Sequence, residues 1–206
     1  PLVQQILADV RADQLDASVL ADDLSQIEES LQTCRRIFGG MLSLARGVSQ
    51  GTTHANVRRA LDSTLAILPD GIERQKIRLA LDLPEALPTI RASQGDLEQL
   101  FLNLATNARD AMPEGGELSV CARRVEDGLQ VTIRDTGFGI APEHIARIQE
   151  PFFTTKRNGS GLGLSICRSI IWNIRGEMKI ESQLGSGTTI RVILPIHVDN
   201  SPAVAL

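Results

Sequence analysis

The apolar residues of the first fifty positions fall on a periodic line. Leu20, Leu24, Ile27, Leu31, Cys34, Phe38, Met41 and Ala45 follow one another at alternating steps of four and three. That is the heptad spacing of an apolar seam on one long helix. Asp, Glu, Gln and Arg fill the positions between. A shorter stripe, Leu2, Ile6 and Val10, precedes it across a polar break at 11–18. The pattern predicts an antiparallel helical hairpin over residues 1–50. Two stripes this thin do not close a core alone, so the expected solution is a homodimer in which a second copy completes a four-helix bundle. Packing of the hairpin on its own chain is the alternative. Gly39 and Gly40 lie inside the seam and weaken the helix there.

After a linker, GVSQGTTH (47–54), the period changes. Residues 55–69 carry Val57, Leu61, Leu65, Ile67 and Leu68 at helical spacing. KIRLALDL (76–83) alternates as a strand, and TIRA (89–92) reads as a short one. Residues 93–112 form a helix that Pro113 and the pair Gly115 and Gly116 terminate. ELSVCARRV (117–125) and LQVTIRD (129–135) make a hairpin around Glu126, Asp127 and Gly128. Short helix and loop follow over 141–160, then a buried helix over 161–174. EMKIES (177–182) and TTIRVILPI (188–196) form a second hairpin across LGSG. Strands in hairpins with helices on one side predict an α+β fold, a two-layer sandwich. The expected domains are the hairpin (1–50), the α+β unit (51–198) and a tail (199–206).

Composition narrows the class. The chain of 206 residues is 42% hydrophobic and 22% charged, as globular domains are. Aromatics are 3%, so the core must be mainly aliphatic. A net charge of −4 argues against nucleic acid and against an anionic membrane surface as partners. Cys34, Cys121 and Cys167 have no metal-ligand spacing and read as buried thiols of a reducing compartment. The longest apolar stretch, LSICRSIIWNI, is too short to span a membrane and carries Arg168. A cytoplasmic location without membrane contact is expected for this stretch, with a membrane anchor open for a longer parent.

Candidate chemistry begins on the helix at 93–112. Its apolar face is Leu97, Leu100, Phe101, Leu104, Ala108 and Ala111. Asn103, Asn107 and Asp110 line an adjoining stripe at i, i+4 and i+7. Asn is a mediocre helix former, so the stripe is either one wall of a polar pocket or a solvated face. In DTGFGI (135–140), Asp135 ends a strand. Its carboxylate can accept from a ligand amine while Gly137 and Gly139 let backbone come close; the alternative is an ordinary turn. EPFFTTK (150–156) places Phe152 and Phe153 beside Thr154, Thr155 and Lys156. NGSGLGLS (158–165) then leads directly into a helix. Backbone N–H groups at a helix N-terminus favour an anion, so this loop can hold phosphate without a P-loop lysine. Lys156 adds a point charge there or is a solvated lid lysine.

The order of these motifs is more specific than any one of them. NLATNARDA, DTGFGI, PFFTTK, GSGLGLS and GSGTT resemble, in sequence, the N, G1, F, G2 and G3 boxes of sensor histidine kinases. These kinases belong to the GHKL superfamily, shared with gyrase, mismatch-repair MutL and the large heat-shock chaperone. The resemblance covers residues 1–196, and the PFFTTK form looks most like the nitrogen-regulatory branch. It implies a Bergerat-type ATP-binding sandwich with ATP and Mg²⁺ as ligands. On this resemblance Asn107 ligates Mg²⁺, and Asn103 and Asp110 line the phosphate site. Asp135 accepts from the adenine amino group, bordered by Gly137, Gly139 and Ile140. The Thr188 hydroxyl supports Asp135. Phe152 and Phe153 anchor a lid that includes Thr154, Thr155 and Lys156. Gly159, Gly161, Leu162, Gly163 and Leu164 supply backbone to the phosphates.

Two departures carry information. In the hydrolysing relatives a Glu one helical turn before the metal Asn activates water; Asn103 stands there and cannot serve as a base. Slow hydrolysis and transfer to another nucleophile are therefore expected. The family's acceptor lies in a pattern like H-E-x-x-N-P-L, which places the expected His five residues before Pro1. The stretch is thus expected to be part of a longer protein, binding ATP without phosphorylating itself. In the intact parent the γ-phosphoryl would pass to that His and then to an aspartate of a response-regulator receiver. His54, His144 and His197 read as surface residues. The alternatives are a hydrolysing ATPase of the same superfamily and an ATP-binding dimeric scaffold without the acceptor.

Overall fold

The computed structural model describes residues 54–68, 72, 75–156 and 159–196, with Leu20, Leu24 and Ile27 as isolated helical positions. The rest of the expected hairpin, its bundle, Asn158, His197 and the tail lie outside the described residues. The chain divides into two units, Pro1–Leu42 and Ser43–Leu206; the second holds all the elements below.

Among the described residues eleven elements follow one another: β1 (His54–Asn56), α1 (Val57–Ile67), β2 (Ile77–Asp82), β3 (Thr89–Arg91), α2 (Gln94–Asp110), β4 (Gly116–Val125), β5 (Gly128–Asp135), α3 (Pro142–Ile145), α4 (Gly163–Asn173), β6 (Glu177–Gln183) and β7 (Gly187–Leu194). β1 takes the last residue of the expected linker and the first two of the expected helix. Ala55 pairs with Ile90 of β3, and both side chains are buried. Asn56 then caps α1: its side chain accepts from the Arg59 N–H at 2.9 Å, and its own N–H donates to Gln94 Oε1 at 2.9 Å. Losing an N-cap side chain costs about 1 kcal/mol. Asn56→Ala is therefore expected to lower the denaturant midpoint by that amount, with the slope of the transition unchanged.

The main sheet has the order β2-β4-β5-β7-β6. Three pairs are antiparallel and come from the two hairpins and their meeting, β5 against β7. β2 and β4 are parallel, which requires a crossover; β3 and α2 supply it. Strand alternation sorts the two faces. Leu118, Val120, Ala122, Val131, Ile133, Ile190, Val192 and Leu194 are buried. They meet the apolar faces of α2 and α4, where Leu97, Leu100, Phe101, Leu104, Ile166, Cys167 and Ile170 are buried too. α2 contacts both α1 and α4. The opposite face of the sheet is polar, with ion pairs Arg123–Asp82 and Arg191–Glu181 at 2.6 Å and the pair Arg78–Glu117. The architecture is thus the expected α+β two-layer sandwich. Among the described residues no helix is long and apolar enough to cross a membrane.

The two described cysteines differ. Cys167 is buried, and burial pushes its thiol up to about 12. Cys121 is half-exposed on the solvent face of β4, with Arg123 Nε at 3.3 Å, which corrects the expectation that it is a buried thiol. The alternation of β4 puts it on the outer face, one residue out of step with Val120 and Ala122.

Candidate functional site

α2 and α4 run antiparallel and are tied at two levels. Cys167 Sγ reaches the Leu100 carbonyl at 3.8 Å. Asn103, 4% exposed, donates from Nδ2 to the Gly163 carbonyl at 3.3 Å and accepts from Gln99 Nε2 at 2.8 Å. Both ends of its amide are therefore engaged in holding the start of α4 against α2. One turn later Asn107 faces that start directly. A Cβ at Gly163 would stand 3.5 Å from Asn107 Nδ2, in ordinary contact.

A cation reaches this corner from the loop that follows Phe153. Lys156 Nζ lies 3.0 Å from Asp110 Oδ2 and 3.4 Å from Asn107 Oδ1. Arg109 donates to the other carboxylate oxygen, Asp110 Oδ1, at 2.8 Å. Burial by itself would push the Asp110 carboxyl up. The charges and hydrogen bonds of Lys156 and Arg109 win and hold it below the ordinary value. Two oxygens from consecutive turns of α2 thus share one positive charge beside a helix N-terminus.

The second group sits at the end of β5. Asp135 is 5% exposed. Its Oδ1 accepts from the Gly137 N–H at 2.9 Å and the Thr188 N–H at 3.2 Å, and neither of these donors engages Oδ2. Burial raises the Asp135 carboxyl above its ordinary value; the backbone N–H groups of Gly137 and Thr188, the Lys156 charge and the backbone N–H of Asp135 itself oppose that rise without cancelling it. The loop after it is laced to both neighbours. The Phe138 N–H donates to the Ala111 carbonyl at 3.0 Å, and the Ile140 N–H to Ser182 Oγ at 2.8 Å. Gly139 holds φ +68°, and a Cβ there would strike the Gln183 backbone. Support of Asp135 by Thr188 runs through the backbone N–H; the Thr188 hydroxyl pairs with Ser182 Oγ at 2.9 Å.

The remaining expected residues lie along the loop to α4. Phe153 is half-buried, with the His144 ring centroid at 5.5 Å and the Arg147 guanidinium 4.5 Å over its face. Of the two expected lid anchors only Phe153 packs its ring. Phe152 is 67% exposed and contributes its N–H, donated to the Gly161 carbonyl at 3.0 Å. Thr154 and Thr155 are exposed, and Thr154 Oγ1 accepts from the Lys156 N–H at 3.1 Å. The Gly159 N–H donates to the Lys156 carbonyl at 3.1 Å. Leu162 sends its side chain into the core, while Gly161, Gly163 and Leu164 are half-buried. Gln99, Arg109, His144, Arg147 and Ser182 are the contributors that the sequence pattern did not single out. For Ser182 a signal exists: it is a polar residue on the inward register of β6, in line with Met178 and Ile180.

Residues 92–198 match the family described as histidine kinase-, DNA gyrase B-, and HSP90-like ATPase. The chain belongs to this ATPase family. Among curated members it is 30% identical to sporulation kinase E of Bacillus subtilis (strain 168), over 87% of this chain and 24% of that protein. It is 28% identical to the sensor histidine kinase ZraS of Escherichia coli (strain K12), over 93% of this chain and 42% of that one. Full-length ShkA, solved in complex with AMPPNP, superposes with a TM-score of 0.73 at 26% identity, over 86% of this chain and 38% of that chain. The chain therefore spans less than half the length of these relatives. They identify a sensor-histidine-kinase type of ATPase domain and do not single out the nitrogen-regulatory branch.

Proposed function

We propose that this chain is the ATP-binding catalytic core of a sensor histidine kinase. In the intact parent it passes the γ-phosphoryl of MgATP to a histidine, which hands it to an aspartate on a response-regulator receiver. The observation that carries this reading is the opposite polarity of the two groups. Asp135 offers only acceptors, which suits the adenine amine. The start of α4, with its backbone N–H groups, and Lys156 suit phosphates. The names of the relatives and the nucleotide analogue in the ShkA complex agree with it.

The donor set fits a hard cation. Asn107 Oδ1 and Asp110 Oδ2 already converge on one ammonium group, and neutral or anionic oxygens suit Mg²⁺. Asn107 is the proposed metal ligand, with Asp110 and Asn103 behind it. Mg²⁺, when bound, neutralises charge on the phosphate oxygens during transfer. The protein's own part is placement. Asp135 orients the base, bordered by Gly137, Gly139 and Ile140. The backbone from Gly159 through Leu164 faces the phosphates, and Thr154, Thr155 and Lys156 belong to the closing loop. Asn103 has both amide ends occupied and no carboxylate, which supports transfer over hydrolysis. Residues 1–50 are proposed to dimerise the parent.

Titration of the chain with ATP, with and without Mg²⁺, tests this. Saturable binding strengthened by Mg²⁺ is expected, with slow release of free phosphate. Asn107→Ala is expected to remove the Mg²⁺-dependent gain, about tenfold in affinity, and to leave metal-free binding unchanged. Rapid phosphate release, or no binding at all, overturns the proposal. In the parent, the transferred label should be acid-labile and base-stable.

A further inference from the structure

We infer that Ser182 is a positioning residue that sets base specificity, by fixing the direction of the Thr188 hydroxyl. The inference rests on the ATP-binding reading above and names a determinant of that site. Ser182, Thr188 and Asp135 stand in one row across β6, β7 and β5. Ser182 Oγ has three neighbours at bonding distance: the Ile140 N–H at 2.8 Å, the Gly187 carbonyl at 2.9 Å and Thr188 Oγ1 at 2.9 Å.

A hydroxyl carries one hydrogen and can accept twice. The Gly187 carbonyl can only accept, so the Ser182 hydrogen goes to it. The Ile140 N–H can only donate. The third contact must then run from Thr188 to Ser182. Ser182 gives one hydrogen and receives two, and its capacity is filled. Thr188 has spent its hydrogen, so its oxygen meets a ligand or a bridging water as an acceptor. Beside it, Asp135 Oδ1 is taken by two backbone donors and Oδ2 accepts.

The base end of the site is therefore built from acceptors whose orientation is locked. A 6-amino purine brings hydrogens to that wall. A 6-oxo purine brings a carbonyl oxygen, which no donor there receives. Remove the Ser182 hydroxyl and Thr188 can rotate and donate, so the discrimination falls. Leaving buried polar groups unpaired is what makes such sites selective.

The experiment compares ATP with inosine triphosphate, which differs at the 6-position and the adjacent ring nitrogen, for the whole chain by equilibrium titration. Ser182→Ala is expected to lower the ratio of ATP to inosine triphosphate affinity by about tenfold, while the ratio of ATP to ADP affinity stays as in the wild type. Ser182→Thr, which keeps a hydroxyl, should restore the selectivity. Thr188→Val should lose it alone, and adding Ser182→Ala to Thr188→Val should change the ratio no further, because Ser182 acts through Thr188. If Ser182→Ala does not fold, Ser182→Cys, which keeps the size and weakens both the donor and the acceptor, carries the test in its place. An unchanged purine ratio in the variant read, with wild-type ATP binding intact, overturns the role of Ser182 alone. Failure of the wild type to bind ATP overturns the functional reading beneath it.

Discussion

Asp135→Asn is expected to weaken adenine-nucleotide binding by about 10- to 100-fold while leaving the domain at least as stable as before. The amide keeps an oxygen to accept from the Gly137 and Thr188 N–H groups, so the loop after β5 stays in place. What changes is the other atom. The Oδ2 acceptor becomes an NH₂ donor facing a donor on the base, and a charged hydrogen bond is exchanged for a repulsion. The stability sign follows from burial. The folded carboxyl lies above its ordinary value, chiefly through desolvation. A group raised in this way contributes stability that is fully present below the unfolded value of about 4. That contribution is lost as pH rises through the folded value. At neutral pH the ionised Asp135 is a cost to folding, and Asn removes it. A melt at pH 7 should show an equal or higher Tm for the variant, and an advantage that shrinks as the pH falls through the raised folded value and is gone below about 4. Binding has the opposite slope. Wild-type affinity should decline as the pH falls towards the raised value, because the protonated carboxyl no longer accepts on both oxygens. Asp135→Asn should show only the titration of the nucleotide itself. Wild-type affinity in Asp135→Asn would remove Asp135 from the base site.

Much of this was legible along the chain, and the rest fails to be for identifiable reasons. The helical spacing of Leu97, Leu100, Phe101, Leu104 and Ala108 picks out side chains that are all buried. The same period places Asn103, Asn107 and Asp110 on one stripe, yet their fates diverge. Asn103 is covered by α4, whereas Asn107 and Asp110 look onto Lys156. That difference is decided by a helix sixty residues further on, beyond the reach of local periodicity. β1 was hidden for a similar reason. Residues 54–56 carry no strand signal of their own and become one by pairing with Thr89–Arg91. The parallel pairing of β2 with β4 leaves no trace in either strand's alternation. His144 looked like an isolated surface residue because its partner, Phe153, comes from the next loop. The glycines of the G2 stretch were the clearest signal, but the sequence does not say which of them the backbone needs.

Gly161→Ala and Gly163→Ala separate those roles, and the first should be far the more damaging. Gly161 sits at φ +66°, where an L side chain is strained by about 1–3 kcal/mol. Its Cβ would also come within 2.6 Å of the Phe152 carbonyl oxygen. Phe152 cannot yield freely. It is itself at φ +67°, and its N–H is the donor to the Gly161 carbonyl. Together the two residues close the base of the loop that carries Lys156. Alanine at 161 must open that closure, so both stability and nucleotide affinity should fall, the affinity by tenfold or more at about 1.4 kcal/mol per decade. Gly163 is different. It is the first residue of α4, its added methyl meets only the Asn107 amide at 3.5 Å, and Ala is the better helix former. Gly163→Ala should therefore keep or raise the Tm. It places a methyl between the helix N-terminus and Asn107, where the phosphates are proposed to approach, so its loss should appear in affinity alone and be larger for ATP than for adenosine. A paired measurement of Tm and ATP affinity reads both variants. Full ATP affinity in both would take the glycine loop out of the nucleotide site. Full affinity in Gly163→Ala alone would show that the phosphates approach α4 through its later N–H groups, with Gly161 serving the loop's geometry.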